Sequence, residues 1–274
     1  MNNMDALIFD IQNASYVDGP GVRTVIFFKG CNMRCQWCHN PEGLSRNPQL
    51  MVYKSKCTRC GGCGRICQND PCALCGRCAD ICPAEARKLC GVRLSLDDVF
   101  TKVKRQQPFF ESSGGGVTCS GGECMMQPDF LCELLALCRQ EGIHTAVDTA
   151  GNVPWPDFQK VLPVTDLFLY DIKCVSPALH KAYTGADNAL VLDNYKRLRE
   201  IAKVRVRIPI IKGFNTDARE LENIAAFLRE YPPEDVEPLM YHSLGRHKYE
   251  ALGLVAADFE PTPAELMKKE LFIN

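Results

Sequence analysis

The stretch TVIFFKGCNMRCQWCHN, residues 24–40, joins a short apolar run to a loop that carries three cysteines. The run Thr24–Lys29 is rich in β-branched and aromatic residues, which is typical of a buried strand. Segments with helical periodicity separate it from five similar runs, which are Gly116–Cys119, His144–Asp148, Asp166–Asp171, Val204–Ile210 and Glu237–Tyr241. Regular alternation of strands and helices predicts right-handed βαβ units and a parallel sheet.

Six units are fewer than the eight of a closed barrel, so the pattern predicts either an open barrel or a doubly wound sheet. In both folds the functional groups gather where the parallel strands end. Polar or cysteine side chains do lie in or just after the predicted strands, and they are Cys31, Glu123, Asp148, Asp171, Lys173, Arg207 and His242. We therefore expect these side chains to converge on one site.

The helical segments carry their own start and stop signals. Ser95 is a predicted N-cap with Asp98 in the first turn, and the helix is expected to stop at Pro108. Asp129–Gln140 places leucines and a phenylalanine on one apolar face. Asn188–Ala202 and Asp217–Arg229 have the same periodicity, so each predicts a helix packed on the sheet.

Composition excludes several classes of protein. The chain has 274 residues, 46% of them hydrophobic and 24% charged, which argues against a largely disordered chain. The net charge of −1 argues against a nucleic-acid partner bound through a broad basic face. No apolar run reaches the ~18–20 residues of a membrane helix, and residues 1–10 lack the pattern of a signal peptide. The 17 cysteines, an odd number, predict metal ligation in a reducing cytoplasm rather than a disulfide scaffold.

Residues 50–91 are expected to form a separate cysteine-rich insert, because this stretch is dense in Cys and Gly and has no predicted helix or strand long enough to build a core of its own. It contains the run CxxCxxCxxxC twice, as Cys57, Cys60, Cys63 and Cys67, and as Cys72, Cys75, Cys78 and Cys82. This spacing predicts two 4Fe–4S clusters, because structural zinc sites use two separated pairs of ligands. In the bacterial ferredoxin pattern the fourth cysteine of each run binds the other cluster. Only four residues separate the two runs, which leaves crosswise ligation open.

Cys31, Cys35 and Cys38 follow the first strand with the spacing CxxxCxxC. Three thiolates fill three corners of a 4Fe–4S cluster and leave one iron free to bind another molecule. A structural cluster would recruit a fourth cysteine, so the spacing favours a catalytic cluster.

Together with four further motifs, this loop resembles the radical S-adenosylmethionine (SAM) superfamily, and within it the glycyl radical enzyme activating enzymes that carry a two-cluster ferredoxin-like insert. The motifs are DGPG at Asp18–Gly21, WCHNPE at Trp37–Glu42, SGGE at Ser120–Glu123 and DxK at Asp171–Lys173. The resemblance implies an α/β fold. An open, partial (β/α)6 TIM-type barrel would span residues 1–49 and 92–274, with the inserted iron–sulfur domain over residues 50–91.

The resemblance also implies roles for individual residues. Cys31, Cys35 and Cys38 would hold the catalytic cluster, and Asp18 would position the target glycine of a partner protein. SAM would chelate the open iron and contact Trp37, Cys38, His39, Gly122, Glu123, Asp171, Ile172, Lys173, Arg207 and His242. A monovalent cation is expected near Asp148, Thr149 and Asp171, where it would reduce repulsion between two carboxylates.

The implied activity is that of a radical SAM oxidoreductase. The reduced cluster would cleave SAM to methionine and a 5′-deoxyadenosyl radical, which would take a hydrogen atom from a glycine of a partner glycyl radical enzyme. A flavodoxin or ferredoxin-type protein is the expected electron donor. The insert would relay electrons or help to dock the donor or the partner enzyme.

Two other functions fit parts of the sequence. The first is an electron-transfer protein, although such a carrier has no need of an open iron. The second is a radical SAM enzyme that modifies peptides, in which auxiliary cysteines usually follow the barrel rather than interrupt it early. Single residues also have plainer interpretations: Glu123 as a turn carboxylate, His242 as a hydrogen-bonded core histidine, Arg207 as an ion-pair partner, and Asp148 as a cap.

Overall fold

The computed structural model describes residues 4–67 and 72–273, so residues 68–71 of the predicted insert lie outside the described part. The strands are β1 (Asp5–Ser15), β2 (Arg23–Phe28), β3 (Gln49–Val52), β4 (Arg87–Cys90), β5 (Val92–Ser95), β6 (Gly116–Gly121), β7 (His144–Thr149), β8 (Leu167–Asp171), β9 (Val204–Ile210) and β10 (Asp235–Met240). The helices are α1 (Gly62–Ile66), α2 (Arg77–Asp80), α3 (Leu96–Lys104), α4 (Gln107–Ser113), α5 (Pro128–Gln140), α6 (Trp155–Val161), α7 (Pro177–Thr184), α8 (Ala189–Leu198), α9 (Ala218–Glu230) and α10 (Arg246–Ala251).

One eight-stranded sheet organises the chain, with the strand order β10-β9-β8-β7-β6-β2-β1-β5. The six strands from β2 to β10 in this order are parallel to one another, and they are the six that the sequence predicts. The sheet does not close on itself, which confirms the predicted α/β fold with an open, mostly parallel sheet. All six carboxyl ends consequently meet at one edge.

Two antiparallel strands extend the sheet beyond β2, and the sequence analysis missed both. β1 pairs with β2, and β5 pairs with β1. The pairing of β1 with β2 shifts register twice, between Ile8 and Asp10 and between Gln12 and Ser15, and Ala14 has a φ of 60°. Such irregularities break the alternation of polar and apolar residues by which a strand is recognised. β5 has only four residues, too few for a clear period.

The predicted N-cap of α3 is confirmed, but its predicted end is wrong. The Ser95 side chain accepts a hydrogen bond from the backbone N–H of Asp98 at 3.1 Å. The helix ends at Lys104, before Pro108, which instead lies in the first turn of α4. Proline is favoured there because the first turn of a helix leaves its N–H groups unbonded.

The main core lies between the sheet and its helices. α5 contributes Phe130, Leu131, Leu134, Leu135 and Cys138, all of them buried. Burial of each large apolar side chain contributes roughly 1.5–3 kcal/mol to folding, so this face alone holds α5 firmly on the sheet. All 17 cysteines are free thiols, and of the six outside the CxxxCxxC loop and the two CxxCxxCxxxC runs only Cys132 is partly exposed.

The cysteine-rich segment projects from a short antiparallel stem formed by β3 and β4. The stem encloses residues 53–86, of which the described part contains the two short helices α1 and α2 and few buried side chains. Among the described residues no helix has both the length and the apolar character to cross a membrane.

Candidate active site

A cavity of about 480 Å³ opens at the edge of the sheet where the parallel strands end. Most of the predicted site residues line it: Asp18, Cys31, Cys35, Trp37, Cys38, His39, Gly122, Asp148, Thr149, Asp171, Lys173, Arg207 and His242. Asp18 comes from the connection between β1 and β2, and the others come from the loop after β2 and from the carboxyl-terminal parts of β6 to β10 or the residues that follow them. The expected convergence of strand-end residues is therefore observed for all of them except Glu123.

Cys31, Cys35 and Cys38 all contribute to the cavity wall. Burial raises the pKa of the Cys31 thiol to about 11 and that of Cys38 to about 12, and it also raises the pKa of Cys35. Neutral thiols in such surroundings ionise only when a metal supplies positive charge. Within residues 4–67 and 72–273, no group of three or more His, Cys, Asp or Glu side chains is arranged around a single metal ion. The three thiols fit a cluster better, because a cluster binds one thiolate at each corner.

Contacts with the end of α7 hold this cysteine loop in place. The backbone N–H of Arg34 donates to Thr184 O at 2.7 Å, and that of Gln36 donates to Tyr183 O at 3.0 Å. The Trp37 ring packs against Phe214, with ring centroids 4.4 Å apart. The loop thus keeps its shape through protein contacts as well as through any metal.

The glycines of the SGGE motif allow close backbone packing beside the loop. Gly121 has a φ of 122°, which L side chains rarely adopt. A Cβ on Gly122 would lie 2.4 Å from the carbonyl oxygens of both Gly30 and Gly43. Gly122 is therefore required for contact between the β6 turn and the cysteine loop, in addition to its predicted closeness to SAM.

Two residues that were expected to contact SAM, Glu123 and Ile172, lie behind the cavity wall. Glu123 is only 1% exposed, and its carboxylate accepts hydrogen bonds from Thr149 Oγ1 at 2.8 Å, Ala150 N at 3.0 Å and Met125 N at 3.1 Å. Burial raises the pKa of Glu123 to about 7. As positioned, this carboxylate holds the turn after β7 rather than facing a ligand. Ile172 is fully buried in the main core.

Arg207 connects the acidic side chains of the cavity. Its Nη1 lies 3.5 Å from Asp148 Oδ1 and 3.8 Å from Asp18 Oδ1, and its Nε lies 3.4 Å from Glu237 Oε2. Burial raises the pKa of Asp148 to about 6, although the Arg207 charge opposes the shift. The ion-pair interpretation of Arg207 is thus correct alongside its place in the cavity. Glu237 was missed, because one glutamate in a strand gives no sequence signal.

Lys173 supplies the second positive charge at the site. Its Nζ lies 2.6 Å from Asp171 Oδ2, and both residues line the cavity. Asp148 and Asp171 therefore already have cationic partners within the chain. The monovalent cation expected near them stays a prediction.

Two stacked imidazole rings form another part of the wall. The rings of His39 and His242 lie 4.1 Å apart at an interplanar angle of 21°. Burial, and secondarily the neighbouring His242, lowers the pKa of His39 to about 4, so its ring is neutral near pH 7. The buried Nε2 of His39 has no hydrogen-bond partner among the described residues. An aromatic pair with an unsatisfied nitrogen fits a nucleobase such as the adenine of SAM, which the sequence analysis expected His39 and His242 to contact without specifying the group.

Asp18 lies at the cavity opening and is held there by its neighbours. Ser15 Oγ donates to Asp18 Oδ2 at 2.5 Å, and Thr118 Oγ1 donates to Asp18 O at 2.6 Å. The adjacent side chains of Tyr16 and Val17 are 74% and 67% exposed. Large exposed apolar groups beside an opening are typical of a protein-binding surface.

A second, smaller cavity of about 60 Å³ lies in the cysteine-rich segment. Cys57, Cys60 and Cys63 of the first run line it together with Cys82 of the second run. Crosswise ligation in a two-cluster ferredoxin would use this set of cysteines.

Residues 25–228 match the family model described as "Radical SAM superfamily". Two curated relatives are each 38% identical to this chain. One is the trans-4-hydroxy-L-proline dehydratase activating enzyme of Clostridioides difficile, aligned over 91% of this chain and 88% of the relative. The other is the choline trimethylamine-lyase activating enzyme of Oleidesulfovibrio alaskensis, aligned over 90% and 87%. The chain belongs to the glycyl radical enzyme activating enzymes of the radical SAM superfamily.

The fold of this activating enzyme also resembles that of more distant superfamily members. A radical SAM methyltransferase from Sphaerobacter thermophilus superposes with a TM-score of 0.55 at 14% identity, covering 95% of this chain and 72% of the other. The predicted activating-enzyme family and its activity are confirmed, whereas the two clusters of the insert stay a prediction: the chain is an enzyme that uses SAM and a 4Fe–4S cluster to activate a glycyl radical enzyme.

Proposed function

We propose that this activating enzyme holds its 4Fe–4S cluster on Cys31, Cys35 and Cys38 and binds SAM in the adjoining cavity. The observation that carries the proposal is that three thiols of one loop share a cavity with two buried cations and a stacked histidine pair. Reductive cleavage of SAM at such a cluster yields methionine and a 5′-deoxyadenosyl radical, which takes hydrogen from glycine.

Different side chains of the cavity would bind the methionine end and the adenine end of SAM. Lys173 and Arg207 are buried cations that can bind the methionine carboxylate, since burial strengthens charge-assisted hydrogen bonds. The His39–His242 pair is suited to the adenine base, with the free His39 Nε2 as a specific contact. Asp148 and Asp171 supply negative charge for the sulfonium, or for the monovalent cation that the sequence predicts.

The partner enzyme would present its glycine loop at Asp18. The exposed Tyr16 and Val17 flank this opening, while the reacting carbon of SAM would lie inside the cavity. The glycine must therefore enter the cavity, where the walls exclude water from a reactive radical. The two relatives at equal identity are named for different partners, which leaves a lyase or dehydratase of the glycyl radical class as the proposed target.

The insert would hold two further 4Fe–4S clusters with crosswise ligation. One set is Cys57, Cys60, Cys63 and Cys82, which share the smaller cavity. The other is Cys67, Cys72, Cys75 and Cys78. This second set is supported by the position of Arg77, whose guanidinium hydrogen-bonds Cys75 and lies near Cys67.

The surface around the first set favours an acidic electron donor in the cytoplasm, of the flavodoxin or ferredoxin type. Lys54, Lys56, Arg59 and Arg65 are exposed near the cavity that holds Cys57 and Cys60. Opposite charge accelerates the encounter of redox proteins. Electrons would enter at this basic surface and pass to the catalytic cluster.

The test uses protein that is purified and reconstituted without oxygen. 5′-Deoxyadenosine is followed after reduction and addition of SAM, together with iron and sulfide content. Cys35→Ala should abolish the nucleoside product, whereas Cys132→Ala, which changes a half-buried thiol of α5 that does not line the cavity, should not. A variant that lacks both Cys60 and Cys75 should still cleave SAM when a strong chemical reductant replaces the protein donor. About twelve irons per chain without any cleavage would instead indicate an electron carrier.

A further inference from the structure

Glu42, the last residue of WCHNPE, contacts two lysines, Lys29 from the end of β2 and Lys248 from α10. It is 7% exposed and lies in the turn that closes the cysteine loop. Lys248 Nζ of α10 lies 2.7 Å from Glu42 Oε1. Lys29 Nζ, at the end of β2, donates to the backbone oxygen of Glu42. Neither lysine lines the cavity.

Helix α10 makes three more contacts with the same loop. Lys248 Nζ also donates to Asn40 Oδ1 at 2.8 Å and to His39 O at 3.1 Å. The Tyr249 hydroxyl donates to Cys38 O at 2.9 Å. Two adjacent residues of α10 thus contact the loop from its third cysteine to Glu42.

The same elements are packed against the base of the insert. Lys29 Nζ donates to Gln49 Oε1 of β3 at 2.9 Å and lies 3.9 Å from Cys90 Sγ of β4. Ala251 of α10 shares a buried cluster with Met51 of β3 and with Cys90. The stem of the insert and the cysteine loop are therefore joined through Lys29 and α10.

We propose that Glu42, Lys248 and Tyr249 are positioning residues that tie the cysteine loop to the stem of the insert and set the orientation of Cys38 and His39. The inference rests on the proposed cluster at this loop. A buried ion pair with several hydrogen bonds specifies one geometry, and loss of one partner leaves an unpaired buried charge. The insert would thereby influence the catalytic loop through contacts as well as through electrons.

The test compares Lys248→Met and Tyr249→Phe with wild type as anaerobic holoenzymes. Lys104→Met is the matched control, because Lys104 lies 2.7 Å from Glu141 in an exposed ion pair far along the chain from α10. Both α10 variants should retain iron. Hydrogen exchange at the amides of residues 38–40 and 42–44 should be at least tenfold faster in Lys248→Met, with a rise also at Met51 and Cys90. The electron paramagnetic resonance signal of the reduced cluster should change in its response to SAM.

The double variant Glu42→Gln with Lys248→Met distinguishes a positioning role from a general effect on stability. It removes the charge of Glu42, which Lys248→Met alone would leave buried and unpaired. It should recover unfolding temperature but not the slow exchange of the loop. Tyr249→Phe keeps the ring and provides a readout if Lys248→Met does not fold. Unchanged exchange and an unchanged signal in Tyr249→Phe and in the double variant would overturn the proposal. Failure of the proposed function looks different: wild type with full iron would not cleave SAM.

Discussion

Arg207 of β9 lies 3.5 Å from Asp148 of β7, and both side chains line the cavity although β8 separates their strands in the sheet. Two side chains near the carboxyl ends of parallel strands can meet across the single strand that lies between them. The pair is buried enough that each charge depends on the other.

Arg207→Met should therefore weaken SAM binding by at least tenfold, since it removes a buried cation and leaves Asp148 without its partner. Binding is measured on the anaerobic holoenzyme by calorimetry. Arg205→Met is the matched control, because Arg205 lies on the same strand, pairs with Asp235 at 3.2 Å and does not line the cavity. Equal affinities of both variants and wild type for SAM would show that Arg207 does not contribute to SAM binding.

Glu123 should make stability depend on pH. Burial raises its pKa from 4.5 to about 7, so the folded state binds the proton more tightly than the unfolded state. The stability that proton binding at Glu123 adds to the folded state is fully present below pH 4.5 and is lost as the pH rises through 7. The loss amounts to about 3 kcal/mol. Urea unfolding of wild type should thus show a steeper decrease of stability between pH 5 and 8 than that of Glu123→Gln. Parallel pH profiles for the two proteins would contradict the assignment.

Gly122→Ala should displace the cysteine loop, because its Cβ would lie 2.4 Å from two backbone oxygens that cannot easily move. Overpacking of this kind costs about 1–3 kcal/mol. We expect lower iron content after reconstitution and a lower urea midpoint. Gly64→Ala serves as the control for the urea midpoint, since a Cβ there meets no atom within 4 Å. An unaltered midpoint and full iron in Gly122→Ala would show that the turn has room.

The basic surface of the insert should control reduction by a protein donor. Reversal of Lys56, Arg59 and Arg65 to glutamate should slow reduction by an acidic flavodoxin about tenfold or more at low salt and flatten its salt dependence. Reduction by dithionite should not change. A control with Lys102, Arg105 and Arg219 reversed to glutamate makes the same change in net charge on exposed positions elsewhere. Equal slowing in both triple variants would assign the effect to net charge alone.

Much of the fold follows from local patterns. The six parallel strands and α5 lie where the sequence pattern predicts them, because each contributes apolar side chains to the main core. The stem strands β3 and β4 and the edge strand β5 have four residues each, which is too short for a period to register. Their positions depend on pairing with distant partners rather than on their own composition.

The features of the site likewise fall into those that the sequence predicts and those that only the packing of the chain determines. Residue types and spacings by themselves determined the three-cysteine loop, the paired cysteine runs and the set of strand-end side chains, because metal ligation and the geometry of parallel sheets constrain residues that are close in sequence. Only the tertiary structure decided that Glu123 points inward, that His39 stacks on His242, and that Tyr249 hydrogen-bonds to Cys38 across 211 positions. Such contacts depend on how separate elements pack, and no local pattern encodes the direction in which a side chain meets a partner so far along the chain.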